Sequence, residues 1–505
     1  MVFLETLQFG IGHVFGIVPL LLIAGGVFFG IIFGAIPGLT ATLAVALLLP
    51  FTYGLGAFNG LSLLLGIYVG AISGGLISAT LLKIPGTPSS IVTTFDGYPM
   101  ARDGKPLEAL SIGVFSSLVG GIFSTVILII IAPQLARIAL KFGPWEYFSL
   151  GVFGLSVVAS LSAKNLNKGL IAALIGMLIA TVGMDPVTAR PRFTLGFLQM
   201  EGGFSALATM LGFYAATQIF LDSREVNTVT KAIKLQDKRN LLTMPFKLVK
   251  HQVINFLRSG AIGTFIGILP GAGGSTAGFI AYDQAKKASR QKEKFGTGHY
   301  EGIIASETSN NAVTGGALVP MMTLGIPGDV VTAILMGGLM IHGLQPGPLL
   351  FTNNADVVGT IFVALLVANV MMYFIEGGLM RKLARMIQVP KHFLLPTIMM
   401  MCVIGVFSLN NRVFDMWVLL VFGVLGYIFV KNDIPLAPII LGYILTDIIE
   451  KNWRLASMST GGDVTPFFTR PISVVLLLLS LVSILYPIIS ERISNKRKNN
   501  EASSE

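Results

Sequence analysis

Two kinds of residue in this chain could do chemistry in an otherwise apolar sequence. The first are Pro-Gly breaks. Gly34-Ala35-Ile36-Pro37-Gly38, Ile84-Pro85-Gly86, Gly267-Ile268-Leu269-Pro270-Gly271 and Ile326-Pro327-Gly328 each interrupt an apolar stretch. Proline lacks an N–H and glycine holds its backbone loosely, so a helix stops at such a pair. In a bilayer the freed backbone groups must line a cavity or meet a ligand. After two of the breaks come small polar residues. Thr87, Ser89 and Ser90 follow Gly86, and Gly273, Gly274, Ser275 and Thr276 follow Gly271. A helix start there offers N–H donors and about half a positive charge, which suits carboxylates. Gly86 and Gly271 themselves belong to this candidate anion site. A lone Pro-Gly pair could equally be a kink or a close packing point; four paired by position point to a site.

The second kind is Glu307-Thr308-Ser309-Asn310-Asn311. Adjacent asparagines supply donors for a carboxylate and oxygens for a hard cation such as Na⁺. Asn310 and Asn311 are therefore candidates for either, the alternative being helix caps or interhelical bonds. Asp96, Asp283 and Asp329 read as loop or cap residues, and His299 and His342 as loop residues. Lys83 is either a snorkelling stem or an anion's counter-charge. The signatures of soluble enzymes are missing: there is no phosphate-binding loop, no His-Glu-x-x-His and no nucleophile elbow.

These residues need elements to hold them, and composition says what those are. Hydrophobic residues make up 53% of 505 and charged ones 12%, with a mean hydropathy of +0.78. A soluble chain has no way to cover that much apolar side chain. The apolar residues cluster in Ile17–Ile36, Leu61–Leu82, Leu118–Ala132, Val358–Ile375, Met416–Val430 and Ile472–Ile489. Several approach the roughly 20 residues that span a bilayer. The expected fold is an all-α integral membrane protein of about 11–13 segments with broken or re-entrant helices. No cleavable signal is evident, and Cys402, alone in Met399-Met400-Met401-Cys402-Val403, reads as an inert buried residue. The net charge of +10 sits in loops, where it reads as membrane orientation and not as nucleic-acid binding.

The chain also repeats itself. The breaks at Pro37 and Pro85 match those at Pro270 and Pro327, Leu135-Ala136-Arg137-Ile138 matches Leu383-Ala384-Arg385-Met386, and Pro186 matches Pro435. The order is kept, with offsets between 233 and 249 residues. Residues 1–221 form the first repeat, 222–258 a basic cytoplasmic linker, 259–490 the second repeat and 491–505 a cytoplasmic tail. Within the linker, Phe246–Leu257 could lie on the membrane as an amphipathic helix. Loop charge implies inversion. Lys286, Lys287, Arg290, Lys292 and Lys294 follow the first break of the second half, whereas 51–60 in the first half has no cation. After the second break the pattern reverses, with Arg102 and Lys105 against His342 alone. Linker and C-terminus then lie inside. Arg137, Lys141, Arg190 and Arg192 fall outside, against the trend. Inverted repeats with paired breaks are the pattern of secondary transporters.

Lys83-Ile84-Pro85-Gly86-Thr87-Pro88-Ser89-Ser90 resembles a signature of the large membrane subunit of tripartite tricarboxylate transporters, the TctA family. So do Pro270-Gly271-Ala272-Gly273, Ala281-Tyr282, Phe295-Gly296-x-Gly298, Glu307-x-x-Asn310-Asn311, Leu324-Gly325-Ile326-Pro327-Gly328 and Gly343-x-x-Pro346-Gly347-Pro348. The likeness runs from about Phe15 to about Pro487. It implies a bacterial inner-membrane permease working with a small membrane subunit and a periplasmic solute-binding protein. It further implies import of carboxylates such as citrate, coupled to Na⁺ or H⁺, with no bound cofactor. A passive anion channel and an integral-membrane enzyme are the rival readings.

Overall fold

The computed structural model describes residues 2–161, 166–185, 188–223, 233, 251–386 and 391–485. Most of the basic linker, Pro186 and the C-terminal tail lie outside them. Almost everything described is helical, apart from one short antiparallel pair, Gly183–Met184 with Pro191–Arg192. The first half contains α1 (Val2–Val14), α2 (Ile17–Ala35), α3 (Ala41–Thr52), α4 (Gly56–Leu82), α5 (Gly97–Arg102), α6 (Pro106–Ala139), α7 (Pro144–Leu161), α8 (Leu166–Ala180) and α9 (Ala206–Asp222). The second contains α10 (Val253–Ile268), α11 (Gly273–Ala288), α12 (Tyr300–Leu324), α13 (Val330–Ile341), α14 (Leu349–Asn353), α15 (Ala355–Met386), α16 (Lys391–Asn410), α17 (Val413–Lys431), α18 (Leu436–Ser459), α19 (Pro466–Thr469) and α20 (Pro471–Leu485). Of the stretch 246–257, Val253–Leu257 form the opening of α10, and the rest is outside the described residues apart from His251 and Gln252.

Among the described residues, five stretches are long and apolar enough to cross a membrane: Ile17–Ala35, Ala41–Leu82, Pro106–Ala139, Ala355–Ala384 and Val413–Lys431. The remaining expected segments are shorter or more polar, and α12 shows why. Every residue from Gly302 to Thr323 is buried, so α12 meets protein on all sides and can carry Glu307, Asn310 and Asn311. Its neighbours are α6, α10 and α11.

Small residues set the packing, as expected where lipid is as apolar as leucine. On α2, a Cβ added at Gly26, Gly30 or Gly34 would meet the carbonyl oxygens of Leu63, Ile67 and Ala71 on α4 at 2.4, 2.3 and 2.1 Å. The pair α10–α12 repeats this contact, with Gly263 against Ser309 O and Gly267 against Val313 O.

The breaks also repeat in detail. Helix α4 ends on Lys83 and α12 on Gly325, both in the left-handed conformation and 242 residues apart. A Cβ at Gly86 would meet Gly34 O at 2.0 Å, and one at Gly328 would meet Gly267 O at 2.4 Å. A capping box then follows in each half, Thr87 with Ser90 and Asp329 with Thr332. In each half, therefore, the second break leans on the helix that leads into the first.

Outside the apolar stretches, Asp185 and Glu450 pair with Arg192 and Arg454 at 2.6–3.5 Å. Cys402 is buried.

Candidate functional site

The breaks bring together residues from opposite halves. After Gly86 the chain makes two tight 3₁₀ turns, Pro88–Ser90 and Val92–Phe95, and no long helix. Thr87 N donates to Ser90 Oγ at 3.3 Å, and the hydroxyls of Thr87 and Ser89 lie 3.0 Å apart. This turn rests on the start of α11. Ser275 Oγ donates to the Pro88 carbonyl at 3.1 Å, and a Cβ at Gly274 would sit 2.6 Å from Ser89 Cβ and 2.7 Å from Asn310 Oδ1. Ser89, Gly274 and Asn310 therefore share one point, supplied by three segments far apart in sequence.

Gly273 has φ +65°, and a side chain there would meet open space. The first-turn N–H groups of α11, from Gly273 through Ser275, have no helical carbonyl to bond. Gly271 differs: its N–H donates to Gly328 O at 2.9 Å, tying the two breaks of the second half together. Gly86 is likewise a packing residue, pressed on Gly34.

Asn310 is 1% exposed and neither of its amide atoms has a hydrogen-bond partner among the described residues. An unbonded amide at such depth costs about 1–3 kcal/mol. Asn311 points elsewhere. Its Nδ2 donates to Ser117 Oγ at 2.9 Å, Glu307 O at 3.0 Å and Glu307 Oε2 at 3.3 Å, while its Oδ1 has no partner among the described residues. Successive helical residues diverge by about 100°, so the two asparagines serve different neighbours.

Glu307 is fully buried and accepts from the hydroxyls of Thr93 and Ser117 as well as from Asn311. Glu376 on α15 is also fully buried. Its Oε2 accepts from Ser73 at 2.6 Å, and its Oε1 has no partner among the described residues. No Lys, Arg or His pairs with either among the described residues. Glu376 carried no signal in the sequence beyond an acid inside an apolar run, which is itself a mark of function in a membrane helix.

The remaining acids have structural posts. Asp96 accepts backbone N–H groups from Gly296, Gly298 and His299 at 2.8–2.9 Å and the Tyr282 hydroxyl at 2.8 Å, pinning the first-half turn to the second-half loop. Asp283 pairs with Lys287 on the surface, and Asp329 caps α13. Lys83 is exposed near the Tyr98 ring. His299 and His342 flank helix ends. The first break, Pro37-Gly38, lies against the Asp222 carboxylate.

A family model described as the tripartite tricarboxylate transporter TctA family matches residues 20–441. The chain belongs to the TctA family. It is a multi-pass membrane protein, the large subunit of a tripartite tricarboxylate transporter. An uncharacterized 52.8 kDa protein in the TAR-I ttuC' 3' region of Agrobacterium vitis is 33% identical over 473 residues, 94% of each chain. A second, in the TAR-II ttuC' 3' region of the same organism, is 33% identical over 227 residues, 45% of this chain and 94% of its own length. No solved structure matches.

Proposed function

We propose that this TctA subunit is the permease of a binding-protein-dependent secondary transporter that imports di- or tricarboxylates such as citrate. Its partners are a small membrane subunit and a periplasmic solute-binding protein, and its place is the bacterial inner membrane with linker and C-terminus cytoplasmic. The two halves act as inverted repeats that set their breaks face to face near the bilayer midplane. The observation that carries this reading is the unpartnered, buried amide of Asn310. It faces the start of α11 and the Ser89 turn, where amide, hydroxyl and N–H donors converge on a carboxylate.

Uptake of an anion works against the membrane potential by about 2.3 kcal/mol per charge at 100 mV. A coupled cation, Na⁺ or H⁺, offsets this. Glu307 and Glu376, buried with no cationic partner described, and the unpartnered Asn311 Oδ1 support such a role. The test is uptake of labelled citrate into vesicles holding all three subunits. Asn310→Ala should insert normally yet lower uptake by at least tenfold, the cost of one hydrogen bond to a charged group. Wild-type uptake by that variant removes Asn310 from the site. Wild-type uptake that ignores both Na⁺ and pH gradients makes the chain a passive channel.

A further inference from the structure

The two halves are covered unequally. On α11, Phe279 and Ile280 are 47% and 40% exposed, whereas Ala46 and Leu47 on α3, 233 residues earlier, are 0% and 1% exposed. Beside the second breaks the contrast repeats. Ile84 is 37% exposed, and Ile326, 242 residues later, only 2%. The end of the molecule built from the Pro85 and Pro270 breaks is therefore bare, and the end built from Pro37 and Pro327 is covered.

Two helices make the cover. Helix α16 packs on α3, where a Cβ added at Gly405 would lie 2.7 Å from Pro50 Cγ. Helix α7 packs on Ile326: a Cβ at Gly154 would be 3.2 Å from its Cγ2, and Leu150 joins the same cluster. These helices are themselves repeat mates. Each follows one copy of Leu-Ala-Arg, and α16 set back by 248 residues overlies α7. Helix α11 packs instead on α10, α12 and the Ser89 turn. Its open face mixes Phe279 and Ile280 with Asp283 and Gln284, a combination that lipid tails do not accept.

The ends differ in charge as well. A Cβ at Gly298 would be 3.0 Å from Met100 N, which brings the turn holding Arg102 and Lys105 against the loop holding Lys292 and Lys294 at the bare end. A Cβ at Gly60 would be 2.8 Å from His342 Nε2, which joins two loops without Lys or Arg at the covered end. By the charge rule the bare end is cytoplasmic.

We propose that this is one of two states, and that α7 and α16 exchange their seats in the other. There α7 leaves Ile326 to cover Phe279 and Ile280 on α11, while α16 leaves α3 to cover Ile84. The point shared by Ser89, Gly274 and Asn310 is reached from the cytoplasm in the present state and shut off from it once α7 has closed over α11. Because repeat mates offer like apolar contacts, the two states lie close in free energy, which is what exchange between them requires. The inference rests on the transporter reading above and adds to it the second state and the helices that close each end.

The test is cysteine cross-linking in native membranes, in the full-length protein carrying Cys402→Ala to remove its sole thiol. A Cβ at Gly405 would be 3.3 Å from Pro50 Cβ, close to disulfide range, so Pro50→Cys with Gly405→Cys should join and hold the present state. Their repeat mates, Asp283→Cys with Val157→Cys, should join within one chain in the second state, by oxidation or through a short bismaleimide. Either link should abolish citrate uptake, and its reversal by a reductant should restore it. Absence of the Asp283–Val157 link, or a link between two copies of the chain, would overturn the inference. If a double variant does not insert, single cysteines decide. Ile280→Cys should react with an impermeant maleimide from the cytoplasmic side, and Leu47→Cys from the periplasmic side. A Leu47→Cys variant that never reacts, or an Ile280→Cys variant shielded only when the small membrane subunit is present, would also overturn it. The links and labels need no substrate, so a wild type that takes up no citrate strikes the carboxylate reading while they still decide this one.

Discussion

Asp96 offers a sharp test of how the two halves are held together. It is 1% exposed, and its Oδ1 accepts three backbone N–H groups, from Gly296, Gly298 and His299. Oδ2 accepts the Tyr282 hydroxyl. Asp96→Ala removes the one carboxylate oxygen that these three backbone donors share. At about 1–3 kcal/mol for each unsatisfied buried group, and with water reaching some of them, the loss should be about 3–6 kcal/mol. Asp96→Asn keeps one oxygen for the three N–H groups and turns its NH₂ toward Tyr282, whose hydroxyl can accept. Only the charge assistance is lost, so the cost should be about 1–2 kcal/mol. Thermal midpoints of the purified full-length variants in one detergent read this directly. The order should be wild type, then Asn, then Ala. Because Asp96 seats the turn that carries Ser89, Asp96→Ala should also lower uptake more than it lowers the amount of inserted protein. Equal midpoints for the Ala and Asn variants would refute the reasoning, since the three N–H groups would then have found other partners.

Two further outcomes follow from the packing and the buried acids. Gly86→Ala places a methyl 2.0 Å from the Gly34 carbonyl, a backbone atom on a close-packed helix, and overpacking of this kind costs about 1–3 kcal/mol or more; expression with a wild-type melting curve would contradict it. Glu307→Gln preserves size and can still accept from Ser117 and Asn311, so the fold should persist while the Na⁺ or H⁺ dependence of uptake changes. Unaltered dependence would show that this carboxyl carries no coupling charge.

Much of the architecture is written in local pattern. Long apolar runs separate α2, α4, α6, α15 and α17 because each must satisfy its own backbone in lipid. Pro37, Pro85, Pro270 and Pro327 mark where helices stop because each is followed by a glycine that frees the chain, whereas Pro133 and Pro320, without one, are carried inside α6 and α12. The family motifs sit on those breaks, and the family was legible from them. Helix α12 was harder, since a polar run such as Glu307-Thr308-Ser309-Asn310-Asn311 does not read as a membrane helix until its burial on every face is known.

Partners, in contrast, were decided by the tertiary structure. Thr93 reaches Glu307 across 214 residues, Ser73 reaches Glu376 across 303, and Tyr68 reaches Asp329 across 261. Hydropathy and helix-breaking are properties of neighbours along the chain, so sequence reports them. A hydrogen bond between distant segments depends on the rotation and depth of both helices. That is why Asn310 and Asn311, indistinguishable in sequence, part company in the fold: one faces the start of α11 and the other donates to Glu307.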